Sequence, residues 1–162
     1  KSRIMLNSLA RKARGVRGPP RKGEVVICLR NKPPIYNGMR GLLIGDSFID
    51  VGDPWILHAP IEFPDEGIAP APYQLCAPQF NREKTFAGVD ELVERGVNVN
   101  SMSEAGSLFD FGYAMTTHKA QGSSFEHAII YLDRPEKPWD EEWRRWAYTS
   151  ITRASERLTV LT

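Results

Sequence analysis

The C-terminal third of the chain alternates short apolar runs with polar or helical segments, and this alternation limits the fold more than any other feature. The apolar runs predict buried strands at 111–115, 128–132 and 157–161. Strands separated by helices at this spacing are typical of a parallel sheet covered by helices. The sequence therefore predicts an α/β layer in this part of the chain.

A helix is predicted between the second and third of these strands, because residues 140–142 are all acidic and a helix dipole favours negative charge in the first turn. At 100° per residue the helix carries a stripe about 80° wide that is expected to be buried. Its members are Trp139, Trp143, Trp146, Ser150 and Ala154. The tryptophans and Tyr148 are predicted to be core residues. Arg153 lies about 20° from Trp146 on the same helical projection, where a guanidinium needs an acceptor.

The N-terminal part has a different pattern. A helix is predicted over 3–16, ended by the glycines and prolines between 15 and 20. Its expected buried stripe consists of Met5, Leu9, Ala13 and Val16. Short β runs at 24–29, 41–44, 47–51 and 55–58 then predict a small antiparallel barrel. The five prolines of 60–78 predict an irregular arm, and a short helix is predicted at 90–95.

The net charge of +1 conceals an uneven distribution. Residues 1–40 hold eleven Lys and Arg against one Glu, net +10, whereas residues 41–110 hold three against twelve acids, net −9. The basic end is suited to a phosphate backbone, and a solvated basic surface explains the charge equally well.

The two cysteines and three histidines have no zinc-site spacing, so no metal site is predicted. No apolar run is long enough to span a membrane.

Two segments carry the polar chemistry. The first, 113–125, brings two hydroxyls, an imidazole, an ammonium and a carboxamide together within six residues and then reaches a glycine, a combination that suits phosphates. The second, 148–154, places Arg153 near the end of a helix that tryptophans anchor. Other interpretations stay open: Thr116 and Thr117 complete a strand, His118 caps a turn, or Arg153 pairs with Glu156 or Asp133.

The pattern T-x-H-K-A-Q-G followed by Y-T-x-I-T-R-A resembles motifs V and VI of superfamily 1 helicases, and most closely the RecD-like branch that includes phage Dda-type helicases. The segments 23–26 and 36–41, with Asn31 between them, are similar to the SH3-type barrel inserted in the second motor domain of that branch. The resemblance implies a partial RecA-like parallel sheet with helices, interrupted by the SH3-like barrel. The implied division is 1–18, 19–108 and 109–162, with the inserted barrel and arm in the middle.

The resemblance also implies residue roles. Arg153 would be the catalytic arginine finger on the γ-phosphate of ATP, and Gln121 and Gly122 would lie near the nucleotide. Thr116, Thr117 and His118 would contact the backbone of single-stranded DNA, while Tyr148 and Thr152 would support the helix. Many family members carry Glu where this chain has Ser124, and that Glu is associated with the ribose of the nucleotide.

No G-x-x-x-x-G-K-[ST] motif occurs in the sequence. We therefore expect ATP and Mg²⁺ to be bound mainly by the N-terminal RecA-like domain of a longer parent protein, and the fragment alone to be inactive. The resemblance implies an ATP-dependent 5′ to 3′ DNA helicase of the cytoplasm of bacteria or phage-infected hosts, with possible nuclease subunits as partners. A nucleic-acid-binding module without turnover and a viral RNA helicase of the same superfamily are the alternatives.

Overall fold

The computed structural model describes residues 2–132 and 141–161. The chain divides into two compact units, Lys1–Ala114 and Met115–Thr162, called here the N-terminal unit and the C-terminal unit. The helices are α1 (Ser2–Ala13), α2 (Asp90–Val93), α3 (Thr117–Ala120) and α4 (Glu141–Ile151), with a 3₁₀ turn at Ala77–Gln79. The strands are β1 (Val25–Cys28), β2 (Arg40–Leu43), β3 (Phe48–Ile49), β4 (Ile56–Phe63), β5 (Ile68–Cys76), β6 (Phe109–Phe111), β7 (Phe125–Tyr131) and β8 (Ala154–Leu161).

The predicted first helix exists as α1, and its end follows the usual rule for a glycine stop. Gly15 has a left-handed φ of 70°, which only glycine adopts without strain. The amide of Gly15 donates to the oxygen of Lys12 at 3.0 Å, and the amide of Val16 donates to the oxygen of Arg11 at 3.0 Å. These two bonds form a Schellman motif, so the glycine ends the helix by satisfying its last carbonyls.

The buried face of α1 is the opposite of the predicted one. Met5 and Leu9 are 48% and 53% exposed, whereas Asn7 and Arg11 are buried. Arg11 donates from Nε to the Glu24 carboxylate at 2.7 Å and from Nη2 at 3.1 Å, in a site where Glu24 is fully buried. The predicted stripe is therefore wrong, because buried acids in the N-terminal unit draw the polar side of the helix inward.

The antiparallel pairing predicted for the N-terminal strands is confirmed. β6, β1, β2 and β4 are paired in that order. Along one edge, β4 pairs with β2 at 61–62 and with β3 at 57–58, and its other edge pairs with β5. Gly41 pairs with Val26 and lies under the side chain of Ile61, so that a Cβ at this position would collide with it. The core of this sheet consists of Val26, Cys28, Ile35, Leu43, Leu57, Ala59, Ile61, Phe63, Leu75 and Phe109. A closed SH3-like barrel stays a prediction.

The irregular arm predicted at 60–78 is wrong, because most of this stretch is the hairpin of β4 and β5. Pro60 and Pro72 lie directly opposite each other in the ladder, so the two residues without an N–H share one pair position. Pro70 and Pro72 both lie on β5, and β4 is the only strand among the described residues that pairs with this stretch. An edge strand tolerates proline because its outer amides have no strand partner.

The strand predicted at 111–115 has different bounds and a different partner strand in the structure. Its observed counterpart β6 ends at Phe111 and pairs antiparallel with β1, so it belongs to the N-terminal unit and not to the parallel layer. Asp110 is fully buried there, accepts a hydrogen bond from the amide of Asn81 at 3.0 Å and forms an ion pair with Arg3. An apolar run predicts a buried strand but does not identify the neighbouring strand, and this is the source of the error.

The C-terminal unit contains the parallel pair that the sequence predicted, but the predicted burial of its strands is wrong, since Ile129 is 64% and Val160 42% exposed. β7 and β8 are parallel, with Ala128 opposite Leu158 and Ile130 opposite Val160. The helix α4 lies between them in the chain, as expected for a parallel connection. Its predicted start at residue 140 and Trp139 lie outside the described residues.

Several smaller predictions can be compared with the structure. The short helix predicted at 90–95 is confirmed as α2. Cys28 and Cys76 are both buried and form no disulfide within the described residues, and burial raises the pKa of the Cys76 thiol to about 11. Among the described helices none has the length and apolar character needed to cross a membrane. The division into 1–18, 19–108 and 109–162 stays a prediction.

Candidate functional site

The segment predicted to meet phosphates is a one-turn helix with an extended residue on each side. Thr116 is extended (φ −75°, ψ 153°) before α3, and Gln121 is extended (φ −61°, ψ 135°) after it. Gly122 then adopts a left-handed φ of 83° with open space where a side chain would be. The glycine is therefore required by its backbone conformation, and the surface around it is accessible to a ligand.

The polar side chains of this segment differ in exposure. Thr116, His118 and Gln121 are exposed, whereas Thr117 is half-buried and Ala120 is buried. The sequence predicted a strand that delivers these groups, but a helical turn presents them on different sides. Thr116, His118 and Gln121 are thus open to solvent, whereas Thr117 faces α4.

Thr117 is joined to α4 through Ser150. The two hydroxyl oxygens are 2.6 Å apart, and Ser150 is only 4% exposed. The Ser150 hydroxyl donates its single proton to the oxygen of Trp146 at 2.9 Å, so Thr117 is the donor in the bond between the hydroxyls. Because phosphate oxygens only accept hydrogen bonds, Thr117 in this geometry supports the segment, and its predicted DNA contact stays a prediction.

Arg153 lies in the turn between α4 and β8 and is held by neutral acceptors. Nε donates to the oxygen of Thr149 at 3.0 Å, Nη1 to the oxygen of Ser123 at 3.1 Å and Nη2 to the hydroxyl of Thr152 at 3.1 Å. Within 2–132 and 141–161, no carboxylate forms an ion pair with it, so the alternative pairing with Glu156 is not formed. Asp133 lies outside the described residues.

Arg153 is therefore a cation in a fixed position that still has N–H groups for a ligand. A guanidinium has five N–H groups, and the three bonds from Arg153 leave two of them for a ligand. The side chain is only half-buried, so these groups can be reached. The backbone is fixed as well, since the amide of Phe125 donates to the oxygen of Arg153 at 2.8 Å. An anion such as a phosphate fits this arrangement.

Tyr148 and Thr152, the two residues predicted to support the helix, differ in their contacts. Thr152 contacts Arg153 directly and donates its own hydroxyl proton to the oxygen of Thr149 at 3.1 Å. Tyr148 is 71% exposed, so the prediction that it is a core residue is wrong. The buried residues of α4 are Ala147 and Ser150, which sets the phase of the helix so that position 148 faces solvent.

A surface pocket lies between α3 and α4 and was not predicted from the sequence. It has a volume of about 370 Å³, and we call it the α3–α4 pocket. Its walls are Thr117, His118, Gln121, Glu142, Trp143, Arg145, Trp146 and Thr149. Trp143 and Trp146 are half-buried and line this pocket, whereas the helical projection predicted core positions for them. The buried residues of α4 are instead Ala147 and Ser150, and each indole keeps part of its surface exposed.

The strand that leads into the site is fastened to α1 within the N-terminal unit. The carboxamide of Asn7 donates to the oxygen of Phe111 at 2.9 Å and accepts from the amide of Ala114 at 2.7 Å. Asn7 is 1% exposed, so these two bonds are shielded from water. A buried asparagine thereby fixes the backbone up to the last residue of this unit.

The basic N-terminal region is partly neutralised inside the protein. Arg3 and Arg11 form ion pairs with the buried carboxylates of Asp110 and Glu24. Lys12, Arg17 and Lys22 are exposed. The basic character of the sequence therefore overstates the positive surface, because two of the cations are used for packing.

Among the described residues there is no cluster of three or more histidines, cysteines or acids that could hold a metal ion.

Comparisons with known proteins agree with the C-terminal part of this picture. Residues 111–161 match the family model of the UvrD-like helicase C-terminal domain, which supports a helicase C-terminal domain in this third of the chain. No curated protein matches the chain.

Two solved structures are similar to the chain. One is described as the structural basis for DNA unwinding at forked dsDNA by two coordinating Pif1 helicases (20% identity, TM-score 0.46, 88% of this chain and 27% of that chain). The other is Bacteroides Pif1 bound to ssDNA (15% identity, TM-score 0.47, 88% of this chain and 29% of that chain). The chain spans less than a third of the length of either structure.

Proposed function

We propose that the chain forms part of the second motor domain of a superfamily 1 DNA helicase of the RecD-like branch, which uses ATP to move 5′ to 3′ along a single strand. The observation that carries the proposal is the environment of Arg153. Its guanidinium is oriented by three neutral acceptors and has no carboxylate partner in the described ranges. It lies in a segment that matches a helicase C-terminal domain.

The nucleotide in this proposal is ATP with Mg²⁺, bound mainly by a neighbouring RecA-like domain that carries the P-loop. The groups in this chain that fit its phosphates are Arg153, the exposed Gln121 and the open backbone at Gly122. The nucleotide supplies the phosphoryl group that is transferred to water. The two unused N–H groups of Arg153 stabilise the negative charge that develops on the γ-phosphate, and its three existing bonds keep it in place without reorganisation.

The single strand is held at the other end of the same segment. The hydroxyl of Thr116 and the imidazole of His118 are exposed and donate to phosphate oxygens of the backbone. Thr117 keeps α3 against α4 through Ser150, while Arg153 holds the chain after α3 through Ser123. Nucleotide binding at Arg153 is therefore linked, through the bond to Ser123, to the segment that grips the strand.

Binding of oligonucleotides to the 162-residue chain tests this function. We expect a dT oligonucleotide to bind in a salt-dependent way, because phosphate contacts release counterions. The double substitution Thr116→Ala and His118→Ala should weaken binding about 10-fold or more, because each removes a hydrogen bond to a charged group. The matched control is His127→Ala, which removes an exposed imidazole from β7.

The RNA-helicase alternative gives a different result in the same assay. Preference for RNA over DNA of the same sequence would favour the RNA helicase, since the 2′-hydroxyl is the group that distinguishes them. Absence of single-strand binding at low salt would contradict the proposed function.

A further inference from the structure

The α3–α4 pocket has the dimensions and the walls of a small-molecule site. Its volume of about 370 Å³ falls within the range of about 300–1,000 Å³ that ligand pockets occupy. Two indoles, Trp143 and Trp146, supply flat apolar surface, and the hydroxyl groups of Thr117 and Thr149 supply polar atoms. Aromatic walls with a few polar groups favour a flat, heteroaromatic ligand.

The charges of the pocket favour a neutral ligand over an anion. Arg145 is paired with Glu141 through a hydrogen bond of 2.6 Å, so its charge is compensated on α4 itself. Glu142 adds a carboxylate to the wall. An uncharged base is compatible with these walls, because it needs no cation to balance it.

The pocket adjoins the groups proposed to hold the strand. His118 lines the pocket and follows directly after Thr117, so it belongs to both features. The indole N–H of Trp143 is buried and has no acceptor in the part of the chain that the structure describes. A carbonyl oxygen or ring nitrogen is the kind of acceptor that this donor lacks.

We propose that the α3–α4 pocket receives one unpaired nucleobase of the bound single strand, stacked on Trp143 or Trp146, while Thr116 and His118 hold the adjacent phosphates. This inference rests on the proposed function, because it requires a single strand at α3. It adds a contact to the base, which the motif residues alone do not provide. Stacking tolerates every base because each has a π-face, so the contact increases affinity without sequence preference.

The test compares two labelled 15-mers on the 162-residue chain by fluorescence anisotropy. One is oligo-dT, and the other has the same backbone with abasic sites throughout. We expect the wild-type chain to bind oligo-dT about 5- to 100-fold more tightly, the range that stacking of one base provides. Trp143→Ala combined with Trp146→Ala should lower the affinity for oligo-dT to that for the abasic strand.

Controls separate the loss of a ring from the loss of structure. The paired substitutions Trp143→Phe and Trp146→Phe keep an aromatic surface and should retain most of the preference for oligo-dT. Trp55→Phe changes a tryptophan of the N-terminal unit and should alter neither affinity. The alanine variant should bind the abasic strand as the wild type does, and loss of this binding as well would assign the tryptophans a structural role and overturn the proposal.

The remaining outcomes distinguish this inference from the function on which it rests. Equal wild-type affinity for the two strands would overturn the base pocket and leave strand binding by this segment intact. Failure to bind either strand would overturn the proposed function itself. Adenosine shares the base chemistry and is tested alone, without DNA. If the wild-type chain binds adenosine at micromolar concentration and Trp143→Ala combined with Trp146→Ala abolishes this binding, the pocket belongs to the base of a free nucleotide, and the assignment to the strand is wrong.

Discussion

Arg153 donates from Nη1 to the backbone oxygen of Ser123 at 3.1 Å, and this bond joins the end of α4 to the chain that follows α3. A second connection lies at the start of α3, where Thr117 and Ser150 are 2.6 Å apart. Gln121 and Gly122 lie in the chain between these two points. The segment 117–123 is therefore hydrogen-bonded at both of its ends, to α4 through Ser150 and to Arg153. It connects the groups proposed to bind DNA with the residue proposed to bind the nucleotide.

The bond between Thr117 and Ser150 should contribute to stability, whereas Thr116 should contribute to binding. We expect Thr117→Val to lower the unfolding free energy by about 1 kcal/mol, because it keeps the shape and removes a partly buried hydrogen bond. Thr116→Val is the matched control, since Thr116 is exposed and its side chain does not cap α3. Urea unfolding of both variants measures the difference. A Thr117→Val variant as stable as the wild type would contradict this role.

The buried pair of Arg11 and Glu24 should be essential for docking α1. Glu24 is fully buried and also accepts from the amide of Arg21 at 2.9 Å and from the Tyr113 hydroxyl at 3.2 Å. We expect Arg11→Met to destabilise the protein by about 3–5 kcal/mol, because it leaves an uncompensated carboxylate in the interior.

Chemical denaturation measures this cost, and the exposed Arg17→Gln is the control. Restoration of stability by a second change, Glu24→Gln in the Arg11→Met background, would show that the unpaired charge causes the loss. No loss of stability in Arg11→Met would contradict the structure of this site.

Asp50 should make the stability of the N-terminal unit depend on acid pH. A hydrogen bond from His58, 2.7 Å from the carboxylate, and one from the amide of Gly52 hold the pKa of Asp50 below its usual value of 3.8. A carboxyl group whose pKa is lower in the folded state stabilises the protein above the unfolded pKa, and this contribution disappears as pH falls through the folded pKa.

We therefore expect Asp50→Asn to be less stable than the wild type at pH 6 and the difference to shrink below about pH 4. Thermal unfolding between pH 3 and pH 6 measures it, and Asp53→Asn controls for removal of a nearby charge. A difference that stays constant over this range would contradict the proposed cause.

The C-terminal unit was predictable from sequence to a large extent. Periodicity identified the parallel strands β7 and β8, and residue chemistry singled out Arg153 and the segment around His118. The strand prediction succeeded because apolar runs depend on local sequence, whereas the roles of Arg153 and His118 stay predictions. The α3–α4 pocket could not be predicted, because it depends on how α4 is rotated by its bond to Thr117.

The N-terminal unit shows where local patterns fail. Arg11 lies outside the predicted buried stripe of α1, but its partner Glu24 lies thirteen residues away and is buried with it. Glu24 is the only acid among the first forty residues, and that isolation was the one sequence signal of an internal pair. The prolines of β5 were likewise interpreted as breaks, because the sequence does not reveal which strand lies at an edge.

The central claim concerns Arg153, and ATP hydrolysis by the full protein, in which we propose that this chain is joined to a P-loop domain, tests it most directly. We expect Arg153→Gln to lower kcat for DNA-stimulated hydrolysis by about 10³- to 10⁵-fold, the usual effect of losing an arginine finger. Affinity for the single strand should remain within about twofold, because Arg153 does not contact the strand in this account. Arg157→Gln, at an exposed position of β8, is the control and should keep full activity. Hydrolysis by Arg153→Gln at the wild-type rate would contradict the account.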